Sequence, residues 1–466
     1  MSTYSKLHIL SFAALLGILL ILGCTTTTKY VGGIQINEAN QDDWAKTLKS
    51  VGMNTAQVTA YAKQGAWNSD HLWWDDSDTT HILNEIRALK ANKVHVTMVL
   101  RVALQHSFEE NMYKWHGMIY PTSQNQKDEW FYRYAYFVEM WAKLCEREGV
   151  DVLAISSEMN ALTATEQIDS LTPLIEYFSN REKQLDRELK IVPHAKRLLD
   201  HNLWEYGRQV DTNIREYLLS EIESNVAWTT EAFHTDQPNA IELINKDRKY
   251  LDSIWRSIIH NARTYYSGNI TMAANFDNYH EVSFWDELDF LGINAYFSLR
   301  NVHRRPLSEA TLYQELMEGW NKVFSDISSF KLRKNLPNKP IYFTEIGYTQ
   351  KEGCTLAPWG GEGYTLLSEN DIDTLIIWKE APDKPSERIL AMDALYTVVN
   401  EEKIPLIGLN YWKLTSHAYH EGYEPFMLYI NKEEKDELQS SIARFLSGKK
   451  RKFSTKTPND SNLAEH

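Results

Sequence analysis

Short apolar runs alternate regularly with longer amphipathic segments along this 466-residue chain. The runs have the length and residue preferences of β-strands, and the segments between them have the periodicity of α-helices. This alternation predicts parallel strands joined by crossover helices. Eight runs follow residue 30, which is the strand count of a (β/α)8 barrel, an α/β fold. The runs cover residues 31–36, 55–60, 94–101, 150–155, 269–274, 288–293, 340–344 and 405–410.

The connection between the fourth and fifth runs is much longer than the others. Part of it must be the barrel's own helix, which we place at about Lys246 to Tyr266. The rest, about 161–245, is rich in Glu, Lys, Arg and Leu and poor in strand formers, so we expect a mainly helical insertion. The domain prediction is a barrel over 30–447 that carries this insertion. Residues 448–466 are polar and lack apolar periodicity, which predicts a mobile tail.

The N-terminus has the pattern of a targeting segment. Residues 8–22 form one apolar run behind Lys6, and the run ends in Ile21-Leu-Gly-Cys24. A run of about 15 residues is short for a membrane span and suits the core of a signal peptide. Its end resembles a bacterial lipobox, which implies cleavage before Cys24 and attachment of lipid to that cysteine. A plain N-terminal anchor helix is the alternative.

This pattern predicts where the protein resides. Residues 1–23 would be the signal peptide, and residues 24–29 would be a polar tether behind the lipid. Position 25 is a threonine, so there is no acidic signal for retention in the inner membrane. We therefore expect a lipid-anchored protein of the bacterial cell envelope. In a Gram-negative cell it would lie on the outer membrane, on either the periplasmic or the surface face.

Composition excludes several kinds of partner. Lys plus Arg number 49 against 63 Asp plus Glu, a formal net charge of -14, whereas nucleic-acid binding needs a basic surface. Three cysteines are too few for a disulfide framework and do not form a zinc-ligand cluster. The chain is nevertheless rich in Trp (15) and Tyr (25), whose rings stack on flat, partly apolar ligands. We expect no metal, no cofactor and no nucleic acid, and the sequence identifies no protein partner.

Two glutamates follow strand-like runs directly. Glu158 follows the fourth run and Glu345 follows the seventh. Active sites of such barrels are built at the C-terminal ends of the strands, and strands four and seven lie on opposite sides of the barrel mouth. The two carboxylates can therefore face one another. Cleavage of a glycosidic bond needs such a pair, since one carboxyl group protonates the leaving oxygen and the other attacks the anomeric carbon or activates water.

The sequence resembles glycoside hydrolase family 113, which lies in the large clan of retaining barrel glycosidases. The matching motifs occur in order along most of the predicted barrel. They are Trp115-His-Gly117, Trp130-Phe-Tyr-Arg-Tyr134, Gly149 to Glu158, Ala273-Ala-Asn275, Phe284 to Tyr296, Lys339 to Tyr348 and Pro358-Trp359. The resemblance implies an endo-β-mannanase-like hydrolase that acts with retention. It also implies that Glu158 is the acid/base and Glu345 is the nucleophile.

The chemistry of these roles leads to further expectations. In a retaining pair about 5 Å apart, ionised Glu345 would raise the pKa of Glu158 and keep it protonated. Tyr296, at the end of strand six, is placed to donate its hydroxyl to Glu345. Sugar stacking would draw on three tryptophans, and sugar hydroxyls would be bound by three polar residues. These expected substrate-binding residues are Trp115, Trp359, Trp412, Arg101, Asn275 and Asn294.

Three departures from the family pattern concern the substrate more than the reaction. The third strand ends in Arg101-Val-Ala103 where the family has Lys-Pro-His, so an imidazole is missing there. The residue before Glu158 is Ser157, where much of the clan has Asn. The insertion at about 161–245 is longer than the family usually carries. It could close one end of a cleft and favour short oligosaccharides or exo-like action.

The sequence thus predicts a lipid-anchored retaining glycoside hydrolase that acts on β-linked hexose polymers or oligomers, with mannan-like substrates first. A glycosidase of other specificity, for β-glucan or β-galactan, remains open. The alternative from another class is a non-catalytic glycan-binding or envelope-assembly lipoprotein built on the same barrel. Two mutually repelling carboxylates would give such a binder little advantage.

Overall fold

The computed structural model describes residues 29–36, 38–105, 107–188, 204–205, 208–209, 214–300, 308–359, 364–367, 375–378, 382–420, 425–433 and 436–448. Eight parallel strands in these ranges form one closed barrel, since the first strand pairs with both the second and the eighth. The strands are β1 Tyr30–Gln35, β2 Thr55–Gln64, β3 His95–Leu104, β4 Val152–Ser157, β5 Asn269–Asn275, β6 Leu291–Asn294, β7 Ile341–Ile346 and β8 Leu406–Thr415. The predicted (β/α)8 barrel is confirmed.

Helices lie between the strands and cover the barrel. They are α1 Gln41–Ser50, α2 Asp76–Ala91, α3 Gln124–Glu148, α4 Asn160–Thr163, α5 Pro173–Ser179, α6 Arg181–Glu188, α7 Ile214–Phe233, α8 Ala240–Tyr265, α9 Glu309–Arg333, α10 Pro385–Glu401 and α11 Glu437–Ser447. Local sequence sets several ends. The Asn40 side chain caps α1 by accepting from the amides of Asp42 and Asp43. Gly149, in a left-handed conformation with φ of 68°, ends α3.

Short elements complete the connections. Two-residue strands occur at Leu72–Trp73, Trp204–Glu205, Arg208–Gln209 and Leu428–Tyr429, and an antiparallel pair joins Tyr364–Leu367 to Leu375–Trp378. Single 3-10 turns lie at Glu109–Asn111, His116–Met118, Tyr279–Glu281, Phe284–Glu287 and Ala418–His420. The sixth barrel strand begins at Leu291 rather than at Leu288, because the turn at Phe284–Glu287 occupies the chain just before it.

The core between barrel and helices is rich in aromatic rings. On α3, Trp130 and Tyr134 stack with centroids 4.9 Å apart, and both are fully buried. Trp255 of α8 packs edge-on against Tyr134 at 5.7 Å. The Tyr134 hydroxyl donates to the carbonyl of Ile155 in β4 at 2.8 Å. These contacts fix α3 and α8 against β4, the strand that precedes Glu158.

The segment at 161–245 is helical where the structure describes it. It holds α5, α6, α7 and the start of α8, together with the short pair at Trp204–Glu205 and Arg208–Gln209. The barrel helix α8 begins at Ala240, earlier than the expected start at Lys246. The long helix α7 packs against the loop that leads from β3 to α3, because Trp228 of α7 donates from its ring nitrogen to the carbonyl of Met118 at 2.9 Å.

The predicted signal peptide at 1–23, the lipidation residue Cys24 and the tail beyond Gly448 lie outside the described residues. Among the helices that the structure does describe, none has both the length and the apolar character to cross a bilayer. Cys145 and Cys354 are buried free thiols.

Candidate active site

A cavity of about 800 Å³ opens at the C-terminal ends of the barrel strands. The side chains around it come from β3 through β8 and from the loops that follow these strands. They are Arg101, Trp115, His116, Glu158, Asn275, Phe276, Asp277, Tyr296, Glu345, Trp359, Trp412 and Phe426. No described residue of the 161–245 insertion lines it. The insertion, as far as it is described, therefore leaves the cavity uncovered.

Glu158 and Glu345 reach the cavity from opposite sides of the barrel. Glu345 lies in β7 with a nearly inaccessible side chain. Glu158 follows β4 with φ of 51°, a left-handed conformation that costs a non-glycine residue roughly 1 kcal/mol or more. Its amide donates to the carbonyl of Ala273 in β5 at 2.9 Å, which holds this turn. The strained turn directs the carboxyl group towards the cavity.

Arg101 of β3 joins the two carboxylates. Its Nη2 lies 2.7 Å from Oε1 of Glu345 and 3.6 Å from Oε2 of Glu158. The guanidinium also donates from Nε and Nη2 to the hydroxyl of Ser157, at 3.1 and 2.8 Å. We expected Arg101 to bind sugar hydroxyls. In this structure its donors are directed at protein groups, so its principal contact with the site is electrostatic.

Glu158 has two further neighbours. Nε2 of His116 lies 3.0 Å from its Oε2, and Nδ2 of Asn294 donates to its Oε1 at 2.8 Å. Asn294 is fully buried, and its Oδ1 accepts from the hydroxyl of Thr344 at 2.7 Å. Asn294 was expected to bind a sugar hydroxyl. The structure places it beneath the cavity, where it orients Glu158.

Glu345 has one more donor, the hydroxyl of Tyr296, which lies 3.0 Å from its Oε2. Tyr296 is buried just beyond the end of β6, and its ring packs edge-on against Phe426 at 6.3 Å. The tyrosine thus makes the contact with Glu345 that its position in the sequence suggested. Burial raises the pKa of Tyr296 well above its usual range, and the neighbouring carboxylates reinforce this, so the phenol stays a hydrogen-bond donor.

The pKa values of Glu158 and Glu345 stand in the reverse of the order expected from the sequence. Burial raises the pKa of Glu345 to about 7; the charge of Arg101 opposes this shift and the charge of Glu158 adds to it. Burial also acts to raise the pKa of Glu158, but the His116 hydrogen bond and the charge of Arg101 outweigh it and lower that pKa to about 2. The expectation that Glu158 carries the raised pKa is wrong for this unliganded arrangement. The largest cause of the lowered pKa is the contact with His116, which the sequence did not reveal, and the charge of Arg101 adds to it.

Three tryptophans surround the carboxylates at the cavity wall. Trp359 is 51% exposed and stacks on Phe276 with centroids 5.2 Å apart and planes at 17°. Trp412, within β8, has the guanidinium of Arg101 5.9 Å from its ring centroid. Trp115 packs edge-on against His116 at 5.0 Å. Each presents apolar ring surface where a sugar could stack.

The cavity also contains residues that sequence reasoning did not select. His116 was noted only within the Trp115-His-Gly117 motif, and Phe276 and Phe426 carried no signal in the sequence. Asp277 follows the Ala273-Ala-Asn275 motif, and its position after β5 is the signal that could have identified it. Burial of its carboxyl group raises the pKa of Asp277 to about 6, against a hydrogen bond from Asn160 at 3.2 Å. Asn275, which was selected, lines the cavity and is 8% exposed.

The charged side chains of the site are grouped as ion pairs and hydrogen-bonded carboxyl groups. In the part of the chain that the structure describes, no group of three or more His, Cys, Asp or Glu side chains is placed to hold a metal ion. The acid–base chemistry proposed below needs only the two glutamates and their neighbours.

Comparison with known proteins connects this geometry to a family. Residues 237–373, which include Tyr296 and Glu345, match the model of Glycoside Hydrolase Family 113. The predicted resemblance to glycoside hydrolase family 113 is confirmed. Together with the barrel, the match supports a glycoside hydrolase. Glu158 lies outside the matched residues. No curated protein matches the sequence.

Solved structures share the fold at low identity. The GH113 β-mannanase AaManA from Alicyclobacillus acidocaldarius, solved in complex with ManMIm, superposes with a TM-score of 0.53 at 13% identity. That alignment covers 91% of this chain and 98% of the mannanase. A complex of a GH113 β-1,4-mannanase has a TM-score of 0.51 at 12% identity, with 91% of this chain and 100% of the other covered. At this level of identity, these similarities show that the chain shares the barrel fold of the two mannanases.

Proposed function

We propose that this protein is a retaining glycoside hydrolase in which Glu158 is the acid/base and Glu345 the nucleophile. The observation that carries the proposal is the shared contact with Arg101. Because one nitrogen lies 2.7 Å from one carboxylate oxygen and 3.6 Å from the other, those two oxygens can be no farther apart than the sum of these distances. A nitrogen shared by both carboxylates suits the separation of about 5–5.5 Å between the carboxyl groups of a retaining pair better than the roughly 6.5–9.5 Å of an inverting pair. It supports direct attack by a carboxylate rather than attack by an interposed water.

The reaction proceeds in two displacements. Glu345 attacks the anomeric carbon while Glu158 protonates the glycosidic oxygen, so the bond to the leaving sugar breaks and a glycosyl ester forms. Glu158, now a carboxylate, then takes a proton from water, which attacks the same carbon and releases Glu345. Tyr296 and Arg101 hold Glu345 in place for both steps. Two inversions at one carbon give net retention.

The two carboxylates supply the single proton that the first step needs. They share Arg101 and interact through their charges, so they titrate as a pair. With pKa values of about 2 and about 7, the pair holds one proton over the pH range between them. The reaction requires this proton on Glu158 when substrate is bound. Transfer from Glu345 to Glu158 leaves the total charge of the pair unchanged, so no proton has to be exchanged with solvent.

We further propose that the substrate is a β-linked hexose polymer or oligomer, with mannan-like glycans first and internal cleavage as the mode. The family match and the mannanase structures that share this fold support the sugar class. The tryptophans at 115, 359 and 412 line the cavity from three separate segments, the loops after β3 and β7 and strand β8, which suits a chain that occupies several subsites. β-Glucan and β-galactan are the competing polymers. The chain lacks the family's Lys-Pro-His at the end of the third strand, so its sugar specificity can differ from that of the mannanases.

Lipid anchoring through Cys24 is part of the same proposal. The lipobox-like sequence before Cys24 supports it, and so does the short polar tether that separates the cysteine from β1. A membrane-held hydrolase would act on glycans at the cell envelope. Expression of the full chain with a palmitate analogue, followed by fractionation, tests the anchor. Label in the membrane fraction should disappear in Cys24→Ser, and an unlabelled wild-type protein would contradict the proposal.

The decisive experiment measures reducing-sugar release from a panel of β-mannan, β-glucan and β-galactan substrates. Glu158→Gln and Glu345→Gln preserve side-chain size, and Glu287→Gln, an exposed carboxylate away from the cavity, is the matched control. We expect both site variants to lose about 10²-fold or more and the control to keep full activity. Product anomers read by NMR should show retention. If no substrate is cleaved while glycan still binds, the non-catalytic glycan-binding lipoprotein replaces this proposal.

A further inference from the structure

We propose that the inserted helix α7 positions His116, and through it Glu158, by holding both ends of the segment Trp115-His-Gly117. The proposal rests on the hydrolase function proposed above and assigns a role to the insertion. No described residue of the insertion lines the cavity, so the described part of the insertion acts on the reaction through residues that do. Trp115 and His116 are such residues, and α7 contacts the chain on either side of them.

The first contact lies just before the segment. The ammonium group of Lys114 donates to the backbone carbonyl of Ser224 in α7 at 3.1 Å and also to its hydroxyl. Lys114 is only 2% exposed, so its charge depends on these oxygens and on the nearby carboxylates of Glu221 and Glu231. A buried ammonium group cannot leave its partners without a large desolvation penalty. The contact therefore holds the chain at residue 114 firmly to the helix.

The second contact lies just after the segment. The ring nitrogen of Trp228 in α7 donates to the carbonyl of Met118 at 2.9 Å, and both residues are buried. Trp228 is itself fixed by edge-on packing against Phe233 at 5.2 Å and Phe178 of α5 at 6.2 Å. The carbonyl of Met118 is thus tied to a side chain that has little freedom to move.

The two contacts act as a pair because of their spacing. Ser224 and Trp228 are four residues apart on α7, so they lie one turn apart on the same face. Lys114 and Met118 stand at the two ends of the three-residue segment. One face of the helix therefore determines the position of both ends of the segment. A shift of α7 along or away from the loop would displace both ends.

The segment Trp115-His-Gly117 is compact, so the position of its two ends determines where His116 meets the carboxyl group of Glu158. A Cβ atom on Gly117 would come 2.2 Å from the Trp115 ring, so the ring lies directly over the backbone there. His116 begins a 3-10 turn, and its Nε2 reaches Oε2 of Glu158 at 3.0 Å. A small displacement of the segment lengthens this contact. The insertion thereby orients the group that donates the proton.

Two mild variants test the proposal in the full chain. Ser224→Ala removes the hydroxyl partner of Lys114, and Trp228→Phe removes the N–H that binds Met118. Glu216→Ala is the matched control, since Glu216 is an exposed carboxylate in the first turn of the same helix. Thermal unfolding of every variant measures how much each substitution destabilises the fold. Rates are measured with a β-linked oligosaccharide and with an aryl glycoside that has a good leaving group.

The two substrates separate positioning from general damage. A good leaving group departs without a proton from Glu158, whereas an alcohol leaving group needs that proton. We expect kcat/KM for the oligosaccharide, which reports the first displacement, to fall at least fivefold in Ser224→Ala and Trp228→Phe. The kcat/KM for the aryl glycoside should change less than twofold, and Glu216→Ala should leave both values unchanged. Equal losses on the two substrates, or no loss on either, would overturn the proposal.

A measurement that does not depend on turnover distinguishes this proposal from the proposed function. In the native protein, Glu158→Gln should change the imidazole NMR resonances of His116, which are assigned with His116→Ala. This response should shrink when Trp228→Phe is also present. An undiminished response would show that α7 does not position His116, whatever the enzyme hydrolyses. The wild type could cleave no glycan while the change in the His116 resonances still shrinks in Trp228→Phe. In that case α7 does position His116, and the hydrolase proposal fails.

Discussion

His116 reaches Glu158, with Nε2 3.0 Å from Oε2, although the two residues are 42 positions apart in the chain. The imidazole comes from the loop after β3, and the carboxyl group follows β4. The third strand ends in Arg101-Val-Ala-Leu104, with no imidazole at that end. His116 therefore supplies the imidazole from a different point in the same βα connection. The contact accounts for the low pKa of Glu158 and leads to the first prediction.

Replacement of His116 by Ala should raise the pKa of Glu158, because the hydrogen bond that lowers it is lost. The acid limb of the kcat/KM profile should then move to higher pH, since the single-proton form of the pair begins only above that pKa. The profile from pH 3 upward on an oligosaccharide measures this shift. His260→Ala, at an exposed position on α8, is the control. An unmoved acid limb would contradict the role of His116.

The native enzyme should lose activity as pH rises through about 7, because the last proton of the pair then leaves. Carboxyl ¹³C NMR should find a glutamate with this pKa. In Glu158→Gln a neighbouring negative charge is gone, so the pKa of Glu345 should fall. A kcat/KM that stays flat well above neutral pH would show that the two carboxylates do not share one proton.

Arg101→Met should destabilise the fold by roughly 3–5 kcal/mol at neutral pH, the usual cost of leaving buried charges without their partner. Without the guanidinium, the pKa of each glutamate in the folded state rises, because the charge of Arg101 lowers both values. The destabilisation should therefore increase with pH and fade as acid protonates the pair. Denaturant unfolding at two pH values measures this. Adding Glu345→Gln should recover part of the loss, and no recovery would argue against a charge effect.

Asn294→Ala should lower kcat about tenfold or more with little change in KM. The residue donates to Glu158 from a fully buried position, and a hydrogen bond to a charged group contributes about 1.5–3 kcal/mol. Asn275→Ala is the comparison, because Asn275 lines the cavity and should chiefly affect KM. Steady-state kinetics on one oligosaccharide separate the two cases. A change confined to KM in Asn294→Ala would restore its expected role as a sugar ligand.

Trp359→Ala should raise KM for long oligosaccharides about fivefold, the equivalent of about 1 kcal/mol of ring stacking. Its ring is 51% exposed and supported from beneath by Phe276, so the fold should be little affected. The matched control is Tyr132→Ala, since Tyr132 is 74% exposed on α3 and does not line the cavity. KM values across a series of chain lengths test the prediction. Equal KM values in the variant and the wild type would show that Trp359 does not bind the sugar chain.

The positions of the eight barrel strands along the chain were predicted from the local sequence pattern alone. All eight apolar runs are strands, because residues buried on both faces of a parallel sheet must be apolar whatever lies beyond them. The start of α1 is likewise set locally by Asn40, whose side chain accepts from amides only two and three residues away. The regular placement of strand ends in a barrel then brought Glu158 and Glu345 to one mouth. These inferences need only short-range rules and the symmetry of the fold.

The charges and contacts of the site depended on the tertiary structure. Arg101 and Glu345 are 244 positions apart, and their 2.7 Å contact exists only because the barrel closes. His116 meets Glu158 from the loop after β3 and Asn294 meets it from the end of β6. With the charge of Arg101, these contacts reverse the pKa order that two facing glutamates suggest. Hydrogen bonds and burial act over a few ångströms in space and have no fixed spacing in the chain. The sequence therefore determined which residues reach the barrel mouth, and the fold decided which of them touch and how each is charged.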